Sequence, residues 1–273
     1  MIIFFPHKLG QMKNGVQYTP IYLKKLIKNQ YIDVFCNNSL TNKEYNMKNN
    51  LHNLYSMNNK ITYPKINIGG DHSMAIATVA SSLNLHKDNL KVLWFDAHAD
   101  INTYESSLTK NYHGMPLSFL TGLADHDFEF IKNKLNFDNL MYIGIRDVDN
   151  FEKTIIEKHK IKYLTCEQIN NNLYDSIKKI NNFIGDNPVH LSFDVDCMDP
   201  KFINCTGTKC KYGLNLNTKV ILDNLAYKNL CNIDITEINF DLGNNKDKIK
   251  TINNLSKLFD SYLSFHKNKK IYI

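Results

Sequence analysis

Four short apolar runs in this chain each end in a cluster of acids and histidines, and no other feature constrains the fold as tightly. They are Ile66-Asn-Ile-Gly-Gly-Asp-His72, Val92-Leu-Trp-Phe-Asp96-Ala-His98-Ala-Asp100, Tyr142-Ile-Gly-Ile-Arg146-Asp-Val-Asp149 and Leu191-Ser-Phe-Asp194-Val-Asp196. A buried strand that runs straight into Asp-x-His-x-Asp or Asp-x-Asp leaves carboxylates at the margin of the core. Each loses hydration there unless a cation sits among them. A pair of divalent metal ions meets that need, with His72, Asp96, His98, Asp100, Asp194 and Asp196 as the six candidate ligands.

The apolar runs at 1–5, 65–68, 91–95, 140–145, 189–195 and 232–238 are short and nearly unbroken, as strands covered on both faces should be. Between them, 74–84, 115–123, 167–184, 218–229 and 248–265 carry helical spacing. Alternating strands and helices predict an α/β fold with a mainly parallel sheet, in one domain over residues 1–273. The Asn-rich stretch 37–60 reads as a surface excursion with one irregular helix around Glu44–Tyr55. In open α/β sheets ligands bind beyond the carboxyl ends of strands. The polar clusters all follow their strands, and Glu237 ends the 232–238 run, so five strand ends are expected to converge on one crevice.

Composition excludes several classes. Hydrophobic residues make up 43% and charged residues 22%, enough for a sizeable core and against wholesale disorder. The net charge of +6 comes from scattered lysines, with no nucleic-acid motif, so a nucleic-acid partner is not expected. No stretch approaches a membrane span, and Met1-Ile-Ile-Phe-Phe-Pro6 lacks the parts of a secretion signal. Six cysteines without a regular framework point to free thiols in a reducing cytoplasm rather than to disulfides or zinc. Arg146 is the only arginine among 33 basic residues, which suggests a role for its planar, permanently charged fork.

Imidazole combined with carboxylate suits Mn²⁺, Zn²⁺ or Fe²⁺, and four aspartates with two histidines tip the balance toward Mn²⁺. Residues two apart in a strand face the same way, so Asp96 and His98 can share a site, as can Asp194 and Asp196. Asp71 and Asp199 are read as turn-shaping residues instead.

Gly69-Gly-Asp-His72-Ser, Asp96-Ala-His98-Ala-Asp100, His113-Gly and Ser192-Phe-Asp194-Val-Asp196 together resemble the signature motifs of the ureohydrolase family, which includes arginase, agmatinase and formimidoylglutamase. The resemblance runs from about Gly10 to the C-terminus. It implies a three-layer α/β/α sandwich with a binuclear manganese centre, two Mn²⁺ per chain. One ion would take His72, Asp96, Asp100 and Asp194; the other would take His98, Asp96, Asp194 and Asp196, with Asp96 and Asp194 bridging. A bridging hydroxide would attack the guanidinium carbon and release urea.

Asp100-Ile-Asn102-Thr103 followed by Thr109-Lys-Asn111-Tyr-His113-Gly is similar to the loop of the arginase branch, where it reads the α-carboxylate of L-arginine. By that likeness Asn102, Thr109 and Asn111 would bind the carboxylate and Asp149 the α-amino group, with Glu152 assisting. His113 would shuttle the proton and Glu237 would grip the guanidinium. Thr208 would line the site, and Asp100 would serve catalysis as well as metal binding. The resemblance also implies a homo-oligomer, trimer or hexamer, although the end at Lys269–Ile273 lacks the long tail that helps some members trimerise. Two alternatives stand beside arginase: agmatinase or another guanidino-acid hydrolase, and a non-catalytic binding or regulatory relative.

The chain departs from the family pattern at Thr208-Lys-Cys-Lys-Tyr212-Gly213, where Tyr212 replaces a glycine and would be strained at positive φ. Cys197 follows Asp196 directly, so an oxidation-sensitive thiol near the metals is a further expectation.

Overall fold

The computed structural model describes residues 1–62, 64–126, 128–226 and 228–266. Eight strands are present among them: β1 (Ile2–Phe5), β2 (Tyr31–Asp33), β3 (Lys65–Gly69), β4 (Lys91–Phe95), β5 (Leu140–Ile143), β6 (Lys162–Leu164), β7 (Val189–Asp194) and β8 (Leu230–Thr236). They form one sheet in the order β2-β1-β3-β8-β7-β4-β5-β6. All seven pairings are parallel. The four central neighbours β3, β8, β7 and β4 are those whose ends carry Asp71-His72, Glu237, Asp194 and Asp96. That order explains how segments distant in sequence meet in one crevice.

Side-chain alternation along each strand splits the core in two. Leu93, Phe95, Leu191, Phe193, Ile233 and Ile235 face α7 (Leu173–Ile184), α8 (Thr218–Ala226) and α9 (Asn245–Leu258). Val92, Trp94, Leu140 and Tyr142 face α2 (Lys43–Lys60), α3 (Ala75–His86) and α5 (Asn150–His159). The result is the expected three-layer α/β/α sandwich. Among the described residues no helix is long and apolar enough to cross a membrane.

Three expectations are corrected. The helix expected around Glu44–Tyr55 in the Asn-rich stretch is present, but it is regular and longer: α2 has 18 residues and buries Met47, Leu51, Leu54 and Asn58 along one stripe instead of lying on the surface. Its buried asparagines are hydrogen-bonded, Asn46 Nδ2 to the Thr41 carbonyl at 2.8 Å and Asn50 Nδ2 to the Asn37 carbonyl at 2.9 Å, so they tie the 37–41 loop down. The single helix expected over 167–184 is two, α6 (Cys166–Asn171) and α7, because Asn172 leaves helical geometry and caps Asp175. The short edge strands β2 and β6 and the helices α1 (Thr19–Lys24) and α5 were not foreseen, since β2 and β6 are mostly exposed and lack an apolar run. The reading of the C-terminal end at Lys269–Ile273 lies outside the described residues.

Since Leu51 is fully buried, Leu51→Ala should destabilise the protein by about 2–5 kcal/mol, measured by urea unfolding. A loss under about 0.5 kcal/mol, the usual range for a surface change, would return α2 to the surface.

Candidate metal centre and adjoining cleft

The site is assembled from turns that follow the strands. β4 ends at Phe95 and β7 at Asp194, so strand alternation is not what orients Asp96 with His98 or Asp194 with Asp196. Local hydrogen bonds do so instead. Asp96 Oδ1 accepts from the His98 amide at 2.8 Å, and Asp194 Oδ1 accepts from the Asp196 amide at 2.8 Å. Each carboxylate thus folds its own following turn, and its second oxygen lies near His72.

Two groups result. His72 Nδ1 lies 2.9 Å from Asp100 Oδ2, 3.1 Å from Asp96 Oδ2 and 3.4 Å from Asp194 Oδ2. His98 Nδ1 lies 3.1 Å from Asp196 Oδ2 and 3.4 Å from Asp96 Oδ1. His72–Asp96–Asp100 and Asp96–His98–Asp196 each converge closely enough to hold an ion, and Asp96 gives one oxygen to each. Asp194 stands beside His72 but belongs to neither three-residue group.

The donor set fits a pair of hard-to-borderline divalent ions. His72 Nδ1 is buried and makes no hydrogen bond, although three carboxylates lie within 3.4 Å of it. A ring nitrogen aimed at a point between oxygens, rather than at one of them, is the geometry of a ligand. The electrostatics agree. Burial and the Asp96 carboxylate push Asp100 up to about 6. Burial also raises Asp194, with Asp196 and Asp96 adding to it. Against burial, the adjacent His72 and His98 imidazoles hold Asp96 well below the usual carboxylate range. Only added positive charge lets all four aspartates stay ionised.

Three residues with no role expected from the sequence support the site, two at the candidate ligands and one at Glu237. Ser192 Oγ sits 2.8 Å from His72 Nε2, and Trp94 stacks on the His72 ring at 4.3 Å while its Nε1 donates to Asp96 Oδ2 at 3.0 Å. Gln11 Nε2 donates to Glu237 Oε2 at 2.7 Å. A polar Ser192 between Leu191 and Phe193 in a fully buried strand was the one available signal.

Glu237 is buried, with Oε1 accepting from the His72 amide at 2.9 Å and lying 3.1 Å from His113 Nδ1. A cleft of about 280 Å³ is lined by His98, Asp100, Asn102, Thr109, His113, Asp149, Glu152, Asp194, Asp196 and Thr208. Asn111 is not among them; it lines a larger cavity of about 650 Å³ that shares only Thr109 with the first. Asn102 and Asp149 are engaged with protein: Asn102 Nδ2 donates to Asp149 Oδ2 at 2.7 Å, and Asp149 Oδ1 caps α5 through the Glu152 amide at 2.9 Å. Glu152 completes the capping box; burial, with Asp100 and Asp149 nearby, raises it to about 8. Thr208 Oγ1 donates to Asp196 Oδ2 at 2.5 Å.

Asp71 and Asp199 shape turns as read: Asp71 accepts from Ser73 and Gly10 amides, and Asp199 from Lys201 and Gly213 amides. Tyr212 has φ of 62°, the strained conformation foreseen for it. Cys197 is fully buried, and burial raises its thiol well above the ordinary value, so it is shielded from oxidants and kept protonated.

His113 supplies a pH test. Burial lowers its pKa, but the hydrogen bond and charge of Glu237 outweigh that and raise it to about 8. With the folded value above the unfolded one of about 6.5, its contribution to stability is complete below pH ~6.5 and lost as pH rises through ~8. An NMR titration of His113 in the metal-free protein should therefore find a midpoint near 8; a midpoint at or below 6.5 would mean the Glu237 contact does not form.

Comparison with known proteins agrees with this geometry. A profile of the arginase family matches residues 7–261. An arginase of Neurospora crassa is 40% identical over 188 residues, 64% of this chain but only 52% of that protein, so the match spans about half the length of that relative. An arginase of Entamoeba histolytica is 34% identical over 264 residues, covering 87% of this chain and 89% of the other. The crystal structure of Entamoeba histolytica arginase in complex with L-ornithine superposes with a TM-score of 0.85 at 29% identity, covering 94% of this chain and 97% of that one. A Bacillus subtilis arginase superposes at 0.82 with 27% identity and 99% of each chain covered. Ligand groups, sheet order and sequence likeness converge: the chain belongs to the arginase family.

Proposed function

We propose that this chain is a manganese-dependent arginase that hydrolyses L-arginine to L-ornithine and urea at two Mn²⁺ ions. The observation that carries this reading is the pair of ligand groups sharing Asp96, set beside the His113–Glu237 contact. In the proposal His72, Asp96, Asp100 and Asp194 hold one ion, and His98, Asp96, Asp194 and Asp196 the other. When bound, such a pair makes water nucleophilic near neutral pH. The remaining work falls to the chain's own residues.

Glu237 receives the guanidinium. Its two oxygens already accept from the His72 amide, His113 and Gln11, but an ionised carboxylate has about four acceptor sites, which leaves room for a planar cation. Those three contacts fix the carboxylate before substrate arrives. His113 would carry a proton to the departing amine, a role supported by its Nδ1 contact with Glu237 and its place in the cleft lining. Thr109 and Asn102 line the cleft as the candidates for reading the α-carboxylate, with Asp149 and Glu152 beside them for the α-amino group. Asn111 would join them only by turning from the neighbouring cavity.

That arrangement also favours a second reading, agmatinase or another guanidino-acid hydrolase. Asn102 spends its amide on Asp149, and Asn111 lines a different cavity, so the carboxylate reader is not assembled as the resemblance implies. We further infer a cytoplasmic homo-oligomer, trimer or hexamer; six free cysteines support the reducing compartment.

Urea release from L-arginine, agmatine and guanidinobutyrate, with and without Mn²⁺, tests these readings together. L-Arginine should be the best substrate and activity should need the metal. Faster turnover of agmatine would favour the second reading. No urea from any of the three would leave a non-catalytic relative. His113→Ala should slow turnover by about 10²–10⁴-fold while both ions stay bound; unchanged turnover removes His113 from proton transfer.

A further inference from the structure

Arg146 stands at the centre of an arrangement that the proposed chemistry does not use. Its side chain has five N–H donors, and five backbone carbonyls accept from them. Nε donates to Lys211 at 3.1 Å, Nη1 to Gly144 at 3.0 Å and Cys197 at 3.2 Å, and Nη2 to Asp196 at 2.7 Å and Cys210 at 2.8 Å. Among the described residues no carboxylate pairs with it. Asp147 and Asp149, close to it in sequence, are not among its partners.

The carbonyls belong to three segments: the turn after β5, the turn after β7 that includes Asp196, and the 208–213 loop. That loop has two reasons to leave. Lys209, Lys211 and Tyr212 are exposed, and Tyr212 sits at positive φ without being glycine. Yet the same loop brings Thr208 Oγ1 to Asp196 Oδ2. Gly213 is packed so closely that a Cβ there would lie 2.8 Å from Arg146 Nη2. The guanidinium thus fastens both the backbone of Asp196 and the loop whose hydroxyl orients the Asp196 carboxylate.

We propose that Arg146 is a positioning residue that clamps the 208–213 loop onto the turn carrying Asp196, and so sets the affinity of the ion shared by His98, Asp96 and Asp196. The inference rests on the reading that this trio holds an ion. It commits to shape over charge, because a lysine ammonium has three donors and no plane, and cannot serve five carbonyls in three segments.

Calorimetric titration with Mn²⁺ of the wild type, Arg146→Lys and Thr208→Val tests it, alongside limited trypsin digestion mapped at Lys209 and Lys211. Arg146→Lys should keep one ion at wild-type affinity, weaken the other by about 10–100-fold, the usual effect of losing a ligand's support, and speed cleavage at both lysines. Thr208→Val leaves the clamp intact, so it should weaken the same ion without faster cleavage. Equal loss of both ions in Arg146→Lys, or wild-type affinities in it, overturns the proposal. If Arg146→Lys does not fold, Thr208→Val decides: wild-type affinity for both ions refutes the link. A wild type that binds no Mn²⁺ would sink the functional reading and this inference with it, whereas two ions in the wild type with no selective loss would sink the inference alone.

Discussion

Four aspartates and two histidines are packed together with little access to water, His98 alone among them being part-exposed, and the rest of the structure follows from making that arrangement tolerable. His72 is fully buried, Asp96 and Asp196 are 1% exposed, and Asp194 is 3% exposed. Without added positive charge such a cluster must hold protons it would shed in water, which is why burial and mutual repulsion raise Asp100 and Asp194 while the imidazoles hold Asp96 low. The parallel sheet makes the cluster possible by presenting four neighbouring strand ends to one crevice. Trp94, Ser192 and the Asp96 and Asp194 turns then fix each ligand's direction.

Three of the seven non-glycine residues at positive φ among the described residues lie at or beside the same place. Asp100 has φ of 50°, Glu237 of 63° and Tyr212 of 62°, all in the left-handed region that non-glycine residues avoid. Each is overdetermined by its surroundings. The Asp100 carbonyl accepts from the Leu117 amide at 3.0 Å, and the Glu237 amide donates to the Gly70 carbonyl at 2.9 Å while its carboxylate takes three donors. Around Tyr212, the carbonyls of Cys210 and Lys211 are fastened to Arg146. Strain held this way keeps side chains aimed before any substrate binds.

The central strands and the clustering of the candidate ligand residues were legible in the sequence because an apolar run broken by Asp-x-His-x-Asp carries both signals at once. Edge strands were not, since three exposed residues such as Tyr31–Asp33 leave no apolar run to read. Helix α2 was expected around Glu44–Tyr55, but its length and buried face were masked by its asparagines, which look like surface residues until Asn46 and Asn50 are seen bonded to the 37–41 loop. At the site the ligands came from pattern, but their orientation came from turns that strand periodicity does not describe. The partners of Glu237 and Arg146 were invisible for a plainer reason: Gln11 and the carbonyls of Cys197, Cys210 and Lys211 reach them across long stretches of chain, and backbone acceptors leave no trace in residue identity.

The central claim is that the buried acids are a cage for two cations that share Asp96. Metal stoichiometry of the purified protein after saturation with Mn²⁺ and removal of excess, compared with that of Asp96→Asn, tests it most directly. Two ions per chain in the wild type, and loss of both sites' affinity in the variant, is the result the account requires. Fewer than two ions in the wild type, or a variant that still binds both tightly, would contradict it.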